Sequence, residues 1–288
     1  MNIVVGTGYI GKRVLDRLEP GTATGLNRSP LAAVNGQTVI TLDLDRADCL
    51  SPMLPPASAL LYTVAPPENV GTDERLARLL PMLDPLPERF VYISTSGVYG
   101  DRHGDFVDES ATPAPATVRA KKRLAAEKML QSWCNDNLVE IVILRVPGIY
   151  GPQRLGLERI RRGEPIIRES EARPGNRIHA DDLADCCIAA MSRCNAAAIY
   201  NIVDGDYRSS SWFSKTVARL ASLPLPPEIS LAVAQQEFSE TRLSFLRESR
   251  KLDGSRMRKV LQFEPRFADA QDGIRDALRD SPRMGTVP

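Results

Sequence analysis

Three glycines near the start of the chain have a spacing suited to phosphate binding. Gly6, Gly8 and Gly11 form the pattern G-x-G-x-x-G between a short apolar run and a helical stretch. In such a turn the first glycine permits the tight bend, the second lets a pyrophosphate approach the backbone, and the third allows close helix packing. The N–H groups of Tyr9 and Ile10, at the helix N-terminus, add partial positive charge. The pattern therefore predicts that this turn binds a dinucleotide.

Residues about 20 positions past the turn indicate which dinucleotide to expect. An acidic residue there accepts hydrogen bonds from the adenosine ribose of NAD, whereas this chain has Asn27 followed by Arg28. Arg28 could bind a 2′-phosphate through paired hydrogen bonds, and Asn27 would not repel it. NADP is therefore expected in preference to NAD, unless Arg28 simply points into solvent. Asp43, at the end of a predicted strand, is a candidate to contact the adenine edge or else caps a loop.

Alternating strands and helices place this turn in a parallel sheet. Short apolar runs predict strands at 2–5, 22–26, 38–42, 59–64, 90–93, 139–144 and 198–204. Helical spacing predicts helices between them, the longest over 118–135. This alternation indicates an α/β protein, a Rossmann doubly wound parallel sheet, followed by a smaller, discontinuous C-terminal substrate lobe. The Rossmann domain is expected to comprise residues 1–152 and 177–204, and the lobe residues 153–176 and 205–288.

Composition and charge argue against several classes of protein. The chain has 288 residues, of which 43% are hydrophobic and 25% charged, as in soluble globular proteins. A net charge of +1 gives no support for a nucleic-acid or membrane-surface partner, and no apolar run reaches the length of about 18 that predicts a membrane span. The five cysteines contain no C-x-x-C pair, and no secretory pattern opens the chain. We expect no metal site and a cytoplasmic location.

Six segments, in order along the chain, resemble landmarks of a known family. They are YISTSGVYG (92–100), DESATPAP (108–115), LRVPGIYGP (144–152), RIHADDLA (177–184), YNIVDGD (200–206) and LQFEPRF (261–267). Together they resemble the extended short-chain dehydrogenase/reductases, the epimerase/dehydratase family. The resemblance implies an NAD(P)-dependent oxidoreductase acting on a sugar nucleotide or a similar small polar substrate, and a homodimer. It also implies a catalytic role for Thr95 and cofactor contacts from Leu44, Ala65 and Val146.

The chain departs from this family at two residues that carry its chemistry. Members have Y-x-x-x-K on the long helix, usually with a proline four residues before the tyrosine and a glutamate four after the lysine. Pro115 and Glu127 fix that register here and place Arg119 at the tyrosine and Arg123 at the lysine. Arginine stays protonated in proteins, so Arg119 cannot take up the proton that a tyrosine of lowered pKa exchanges. Arg119 could still bind an anion, and Arg123 could hydrogen-bond the nicotinamide ribose.

Four further residues are candidates for substrate contacts. Tyr99 and Tyr150 lie on turns that the family places near the cofactor cleft. His179 has an ordinary pKa of about 6.5, which suits proton transfer, but it is equally a candidate for a structural histidine before a helix. Arg177, together with Arg119 and the other helix arginine, would favour a ligand that carries phosphate or carboxylate.

Two functions remain open on this evidence. The first is an atypical oxidoreductase in which another group has replaced the role of the tyrosine, and the predicted substrate lobe favours it. The alternative is a non-catalytic NADP-binding protein, a sensor or a scaffold, which Arg119 and Arg123 favour directly. Fold alone does not decide between them.

Overall fold

A parallel sheet of seven strands forms the centre of the molecule. The computed structural model describes residues 1–46, 54–67, 71–192 and 199–279. The strands are β1 (Asn2–Val5), β2 (Ala23–Asn27), β3 (Thr38–Thr41), β4 (Ala59–Tyr62), β5 (Arg89–Thr95), β6 (Phe106–Val107), β7 (Glu140–Val146), β8 (Gly148–Tyr150), β9 (Ile166–Ile167), β10 (Arg177–His179), β11 (Ile199–Asn201), β12 (Glu228–Ile229) and β13 (Lys251–Leu252). The helices are α1 (Tyr9–Arg17), α2 (Glu74–Leu79), α3 (Val118–Asp136), α4 (Leu157–Arg161), α5 (Ala180–Ser192), α6 (Ser210–Leu220), α7 (Leu231–Glu237), α8 (Glu240–Leu246), α9 (Ser255–Lys259) and α10 (Ala270–Arg279).

The order of the central strands is that of a doubly wound fold. It runs β11-β7-β5-β4-β1-β2-β3, with every neighbouring pair parallel. The chain adds strands outward from β1 on one side and from β4 on the other. A crevice therefore opens between the carboxyl ends of β1 and β4, which is where ligands bind in such sheets. The predicted α/β Rossmann fold is confirmed.

Alternating residues of the sheet supply two apolar cores. Val4 and Leu61 pack on one side with residues of α1 and α5, whereas Ile3 and Leu60 pack on the other side with residues of α2 and α3. Successive side chains of a strand point to opposite faces, and burial of both faces produces the near-continuous apolar runs seen in the sequence. The two helix layers thereby fix the carboxyl edge of the sheet, where the candidate site lies.

A smaller lobe lies beyond the carboxyl edge. Its core includes the buried residues Ile160, Val217 and Ile274, from α4, α6 and α10. β9 pairs with β12, which joins the two separated stretches of chain predicted for this lobe. β6 pairs with β13, so a strand from within the first 152 residues also contributes here. The exact boundaries stay a prediction, and residues 280–288 lie outside the described part of the chain.

One predicted helix is shorter than its apolar pattern suggests. The pattern over 74–83 is helical, but α2 ends at Leu79 and a short 3-10 turn follows at Leu80–Met82. Pro81 is the cause, because its ring lacks the N–H that would continue the helical ladder. Among the helices in the described ranges, none has the length and apolar content that a membrane crossing requires.

Candidate functional site

The glycine turn has the shape that a pyrophosphate requires. Gly6 has a φ of 90°, a left-handed conformation that favours glycine, and its carbonyl accepts a hydrogen bond of 2.7 Å from Thr63 Oγ1. A Cβ on Gly11 would lie 2.0 Å from the Gly6 carbonyl oxygen, so α1 could not pack so closely with any other residue. A Cβ on Gly8, in contrast, would meet nothing within 4 Å. This open space in front of Gly8, at the start of α1, fits the approach of a phosphate to the backbone.

A cavity of about 250 Å³ lies beside this turn, at the ends of β1, β2 and β3. It brings together most of the residues that the sequence predicts to bind the cofactor, namely Gly6, Gly8, Asn27, Arg28, Asp43 and Leu44. Ile10 and Val146 are buried in the adjoining core. Ala65 lies at the rim and contributes its carbonyl oxygen, which accepts a hydrogen bond of 2.9 Å from Arg75. We call this space the adenosine-side cavity.

Two charged residues of this cavity are not predicted from the sequence. Arg75, on α2, donates two hydrogen bonds to Asp45, from Nε at 2.6 Å and from Nη2 at 2.8 Å. Arg28 Nη1 lies 3.6 Å from the same carboxylate. The hydrogen bond from Arg75 lowers the pKa of Asp45, so the carboxylate is ionised at neutral pH. One carboxylate therefore lies between two guanidinium groups.

The long helix α3 turns one face towards the sheet. It begins after Thr117, whose side chain accepts a hydrogen bond from Ala120 N, a typical N-cap. Glu127, Arg123 and Arg119 follow one another at intervals of four residues and so share this face. Glu127 is buried, and its carboxylate forms an ion pair of 2.8 Å with Arg145. This buried contact fixes where the two helix arginines lie along the sheet.

Arg123 is bound to the protein itself. Its Nη1 donates to Ile93 O at 2.8 Å, and to Val64 O and the Tyr92 hydroxyl at 3.1 Å each. Burial raises the pKa of Tyr92 to about 12, so this hydroxyl stays protonated beside the cation. Arg123 thus ties α3 to the ends of β4 and β5, at the crevice where the nicotinamide half of a cofactor would lie.

Arg119 and Thr95 line a second cavity, of about 550 Å³, between the sheet and the smaller lobe. We call it the substrate-side cavity. A Cβ on Gly97 would lie 3.4 Å from Ala120 Cβ and 3.5 Å from Thr95 Oγ1, so the end of β5 and the start of α3 form one continuous wall. The prediction that Thr95 and Arg119 face one site is consistent with this arrangement.

The substrate-side cavity carries an excess of positive charge. Among the described residues, its charged lining consists of Arg119, Arg154, Arg173, Arg250, Glu171 and Glu248. Glu171 accepts a hydrogen bond of 2.7 Å from Leu231 N, and Glu248 is ion-paired with Arg250. Arg173 pairs in turn with Asp101 at 3.4 Å. The lining still holds more cations than carboxylates, which suits it to an anionic ligand.

Arg154, in the lining of the substrate-side cavity, contacts the residue that follows Gly8 in the glycine turn. Its guanidinium lies 4.0 Å from the centre of the Tyr9 ring, a cation–π contact. Tyr9 follows Gly8 in the glycine turn, and its hydroxyl donates a hydrogen bond of 2.8 Å to Pro152 O. The aromatic ring thus fixes a guanidinium between the phosphate-binding turn and the substrate-side cavity.

The structure does not bring the four predicted substrate residues to either cavity. Tyr99 is buried and donates to Asn201 Oδ1 at 2.7 Å. Arg177 is buried as well and forms an ion pair of 3.1 Å with Asp206. Both side chains hold the lobe against the sheet, so their hydrogen-bonding groups are directed to the protein.

Tyr150 and His179 belong to the same interior. Their rings are in edge contact, with centres 5.2 Å apart. A Cβ on Gly273 would lie 2.2 Å from the Tyr150 hydroxyl, so α10 covers this side chain. Burial lowers the pKa of His179 to about 4, so the imidazole is neutral at pH 7, and its Nδ1 accepts from Asp181 N. His179 therefore has the structural role that the sequence analysis gave as the alternative to proton transfer.

Comparison with known proteins agrees with the geometry. The model of the NAD dependent epimerase/dehydratase family matches residues 3–203 of the chain. The chain belongs to this family. The match takes in the glycine turn, Thr95, the long helix and the turn after β7, and so covers the residues that build both cavities apart from those of the smaller lobe.

Individual relatives of this epimerase/dehydratase chain are distant in sequence and close in fold. The protein y4nG of Sinorhizobium fredii is 28% identical over 205 residues, which are 64% of this chain and 51% of that protein. A functionally unknown protein from Silicibacter pomeroyi is 26% identical, with a TM-score of 0.82 over 97% of this chain and 98% of that one. MoeE5, solved in complex with UDP-glucose and NAD, is 22% identical, with a TM-score of 0.75 over 96% and 97%. The chain spans about half the length, or less, of the curated relatives it matches.

Several cavity residues escape prediction from the sequence because they come from loops or from distant elements. Arg154 has a local signal, since it follows the family-like turn that ends at Pro152. Arg173 and Arg250 lie in irregular segments of the smaller lobe, where no periodicity indicates which way a side chain points. Arg75 lies 30 residues beyond Asp45, and only the folded sheet brings the two together.

Proposed function

We propose that this epimerase/dehydratase family member binds NAD or NADP in its Rossmann crevice and acts as an oxidoreductase on a small anionic substrate. The sugar nucleotide with which MoeE5 was solved indicates one class of substrate; a sugar acid or sugar phosphate fits the charge equally well. The observation that carries the proposal is the cationic substrate-side cavity, which opens beside Thr95 and next to the glycine turn. A homodimer rests on family likeness alone, and a cytoplasmic location on the cysteine pattern of the sequence.

The cofactor would supply hydride exchange at its nicotinamide ring. Among the residues of this chain, the Thr95 hydroxyl would orient a substrate hydroxyl or carbonyl, and the Arg119 guanidinium would bind negative charge that develops on the reacting oxygen. Arg119 stands where relatives carry tyrosine, and it cannot itself exchange a proton. Arg123, at the position of the lysine, would hold the end of β5 in place through its bonds to backbone carbonyls.

Glu248 is the group we propose for the missing proton transfer. It lines the substrate-side cavity and pairs with Arg250 through Oε2. Its Oε1 is buried and has no hydrogen-bond partner among the described residues; we propose that this oxygen turns into the cavity when a ligand binds and there accepts a proton from a substrate hydroxyl. Glu248→Gln should reduce kcat at least a hundredfold and leave cofactor affinity unchanged. A variant with near-normal kcat would remove Glu248 from the mechanism.

We further propose that NADP is preferred, because Arg28 faces the adenosine-side cavity where an acidic residue would favour NAD. Arg28→Ala should weaken NADP binding by about 1–3 kcal/mol, the value of a charge-assisted hydrogen bond, with little change for NAD. Titration calorimetry with both cofactors measures this directly. Equal losses for NADP and NAD would exclude the assignment.

The second candidate is a non-catalytic NADP sensor or scaffold. Two substitutions favour it. Arg119 is a fixed cation at the position where relatives carry an acid–base group, and Arg123 uses its hydrogen bonds on the protein itself. Calorimetry followed by a scan for NADPH oxidation with sugars, sugar acids and aldehydes separates the two functions. Turnover supports the oxidoreductase; tight binding without turnover on any substrate supports the sensor.

A further inference from the structure

Three charged side chains from three elements meet at the rim of the adenosine-side cavity. Arg28 follows β2, Asp45 follows β3, and Arg75 lies on α2. Arg75 is bound to both carboxylate oxygens, at 2.6 and 2.8 Å. Arg28 is 3.6 Å from Oδ2 of the same carboxylate. All three residues line the cavity.

The two arginines are held unequally. The Arg75 side chain is 21% exposed, and that of Arg28 is 68% exposed. Arg75 also donates from Nη1 to Ala65 O at 2.9 Å. Each of its three guanidinium nitrogens therefore has a hydrogen-bond partner within the protein. Arg28 is loosely held and can turn towards a ligand. Only one of the two cations is therefore available to an anion that enters the cavity.

We propose that Asp45 sets the choice between NAD and NADP by holding Arg75 away from the 2′-phosphate. A carboxylate and a phosphate compete for the same paired N–H donors, and two anions at one site repel each other. While Asp45 is charged, a 2′-phosphate can pair with Arg28 alone. When the charge of Asp45 is removed, Arg75 can also turn to the phosphate, which is then bound by two guanidinium groups. This inference rests on the proposed cofactor binding and adds to it a residue that limits the preference for NADP.

The decisive experiment is a set of cofactor titrations on Asp45→Asn, Arg75→Gln and the double variant, by calorimetry with NADP and with NAD. Asp45→Asn keeps the shape of the side chain and removes its charge. It should raise the affinity for NADP about tenfold and change that for NAD less than twofold. Arg75→Gln leaves Arg28 as the cation nearest to the carboxylate among the three rim residues, so it should draw Arg28 away from the phosphate and lower NADP affinity several-fold. In the double variant the gain should disappear, because it depends on Arg75.

A matched control is Asp272→Asn, which makes the same change of net charge in an exposed pair with Arg275 and should alter neither affinity. If Asp45→Asn leaves the NADP-to-NAD ratio unchanged while wild-type protein binds both cofactors, the inference fails and the proposed function stands. A gain that persists in the double variant also overturns it, since loss of charge alone would then be the cause. Wild-type protein that binds neither cofactor overturns both. Thermal unfolding of each variant confirms that the titrated protein is folded.

Discussion

Replacing Glu127 with glutamine should destabilise the fold, because it leaves Arg145 charged and buried without its counter-ion. The Glu127 side chain is 2% exposed and that of Arg145 is 3% exposed. Their contacts are 2.8 Å from Nη2 to Oε2 and 3.3 Å from Nε to Oε1, and Ser94 Oγ also donates to Oε1. Burial opposes the charged form of Arg145, yet the hydrogen bonds and charge of Glu127 raise its pKa. The pair joins α3 to β5 and β7 directly beneath the candidate site.

The size of the effect follows from the burial of both partners. Removing one partner of a buried ion pair costs about 3–5 kcal/mol, because the remaining charge has been taken out of water. Glutamine has the volume of glutamate and still accepts a hydrogen bond from Ser94, so we expect about 3 kcal/mol, the lower end of that range. Replacing both partners together, Glu127→Leu with Arg145→Met, should cost less than Glu127→Leu alone, since no unpaired charge is left.

Urea unfolding followed by circular dichroism measures this change. For an m-value of about 3 kcal/mol per molar, a loss of 3 kcal/mol lowers the midpoint by about 1 M. Glu240→Gln is the matched control, because Glu240 pairs with Arg247 at 2.8 Å on the surface, where both side chains are more than half exposed. That variant should change stability by less than about 1 kcal/mol. If the two variants shift the midpoint equally, the burial argument is refuted.

Three further predictions concern the turn, a buried acid and the helix arginines. Gly11→Ala places a methyl group 2.0 Å from the Gly6 carbonyl oxygen, so calorimetry should show at least a tenfold loss of cofactor affinity; unchanged affinity would contradict the packing argument. Burial raises the pKa of Asp204 to about 8, so wild-type stability should fall relative to Asp204→Asn as the pH rises from about 4 through about 8; parallel curves from urea unfolding at each pH would count against this. If wild-type protein binds NADP without turnover, Arg119→Tyr with Arg123→Lys should restore NADPH oxidation with a carbonyl substrate, and a folded, cofactor-loaded variant that stays inert would indicate a remodelled cleft.

The sheet was predictable from the sequence because its strands are buried on both faces. Residues 90–93 and 139–144 form apolar runs, and each coincides with a central strand, β5 and β7. The longest helix was predicted almost to its ends, since α3 covers 118–136 against a predicted 118–135, although its buried residues mix apolar Ala126 and Leu130 with charged Lys122 and Glu127. Strand ends were less predictable, since the run at 198–204 contains a strand only over 199–201 and residue 198 lies outside the described ranges.

The site was predictable only where local sequence dictates local geometry. The glycine turn does so, because a close approach of α1 to β1 requires a residue without Cβ at position 11. Tyr150, Arg177 and His179 lie at the ends of two short strands, β8 and β10, and whether they face a ligand depends on what packs over them. Here α10 and the turn at Asp206 cover them. Those contacts join segments that are tens of residues apart, and no local pattern encodes them.

A fixed cation at position 119 changes what the cavity can bind as well as what it can catalyse. A phenol there would be neutral and could gain or lose a proton, whereas a guanidinium adds a permanent charge to a wall that already carries Arg154 and Arg173. A neutral sugar that displaces water from this wall would bring no charge to offset the guanidinium groups, whereas a carboxylate or phosphate would pair with them. Selection among ligands by charge therefore follows from the same substitution that removes the ordinary acid–base group. A proton acceptor has to come from another residue of the lining, and this is the role that we propose for Glu248.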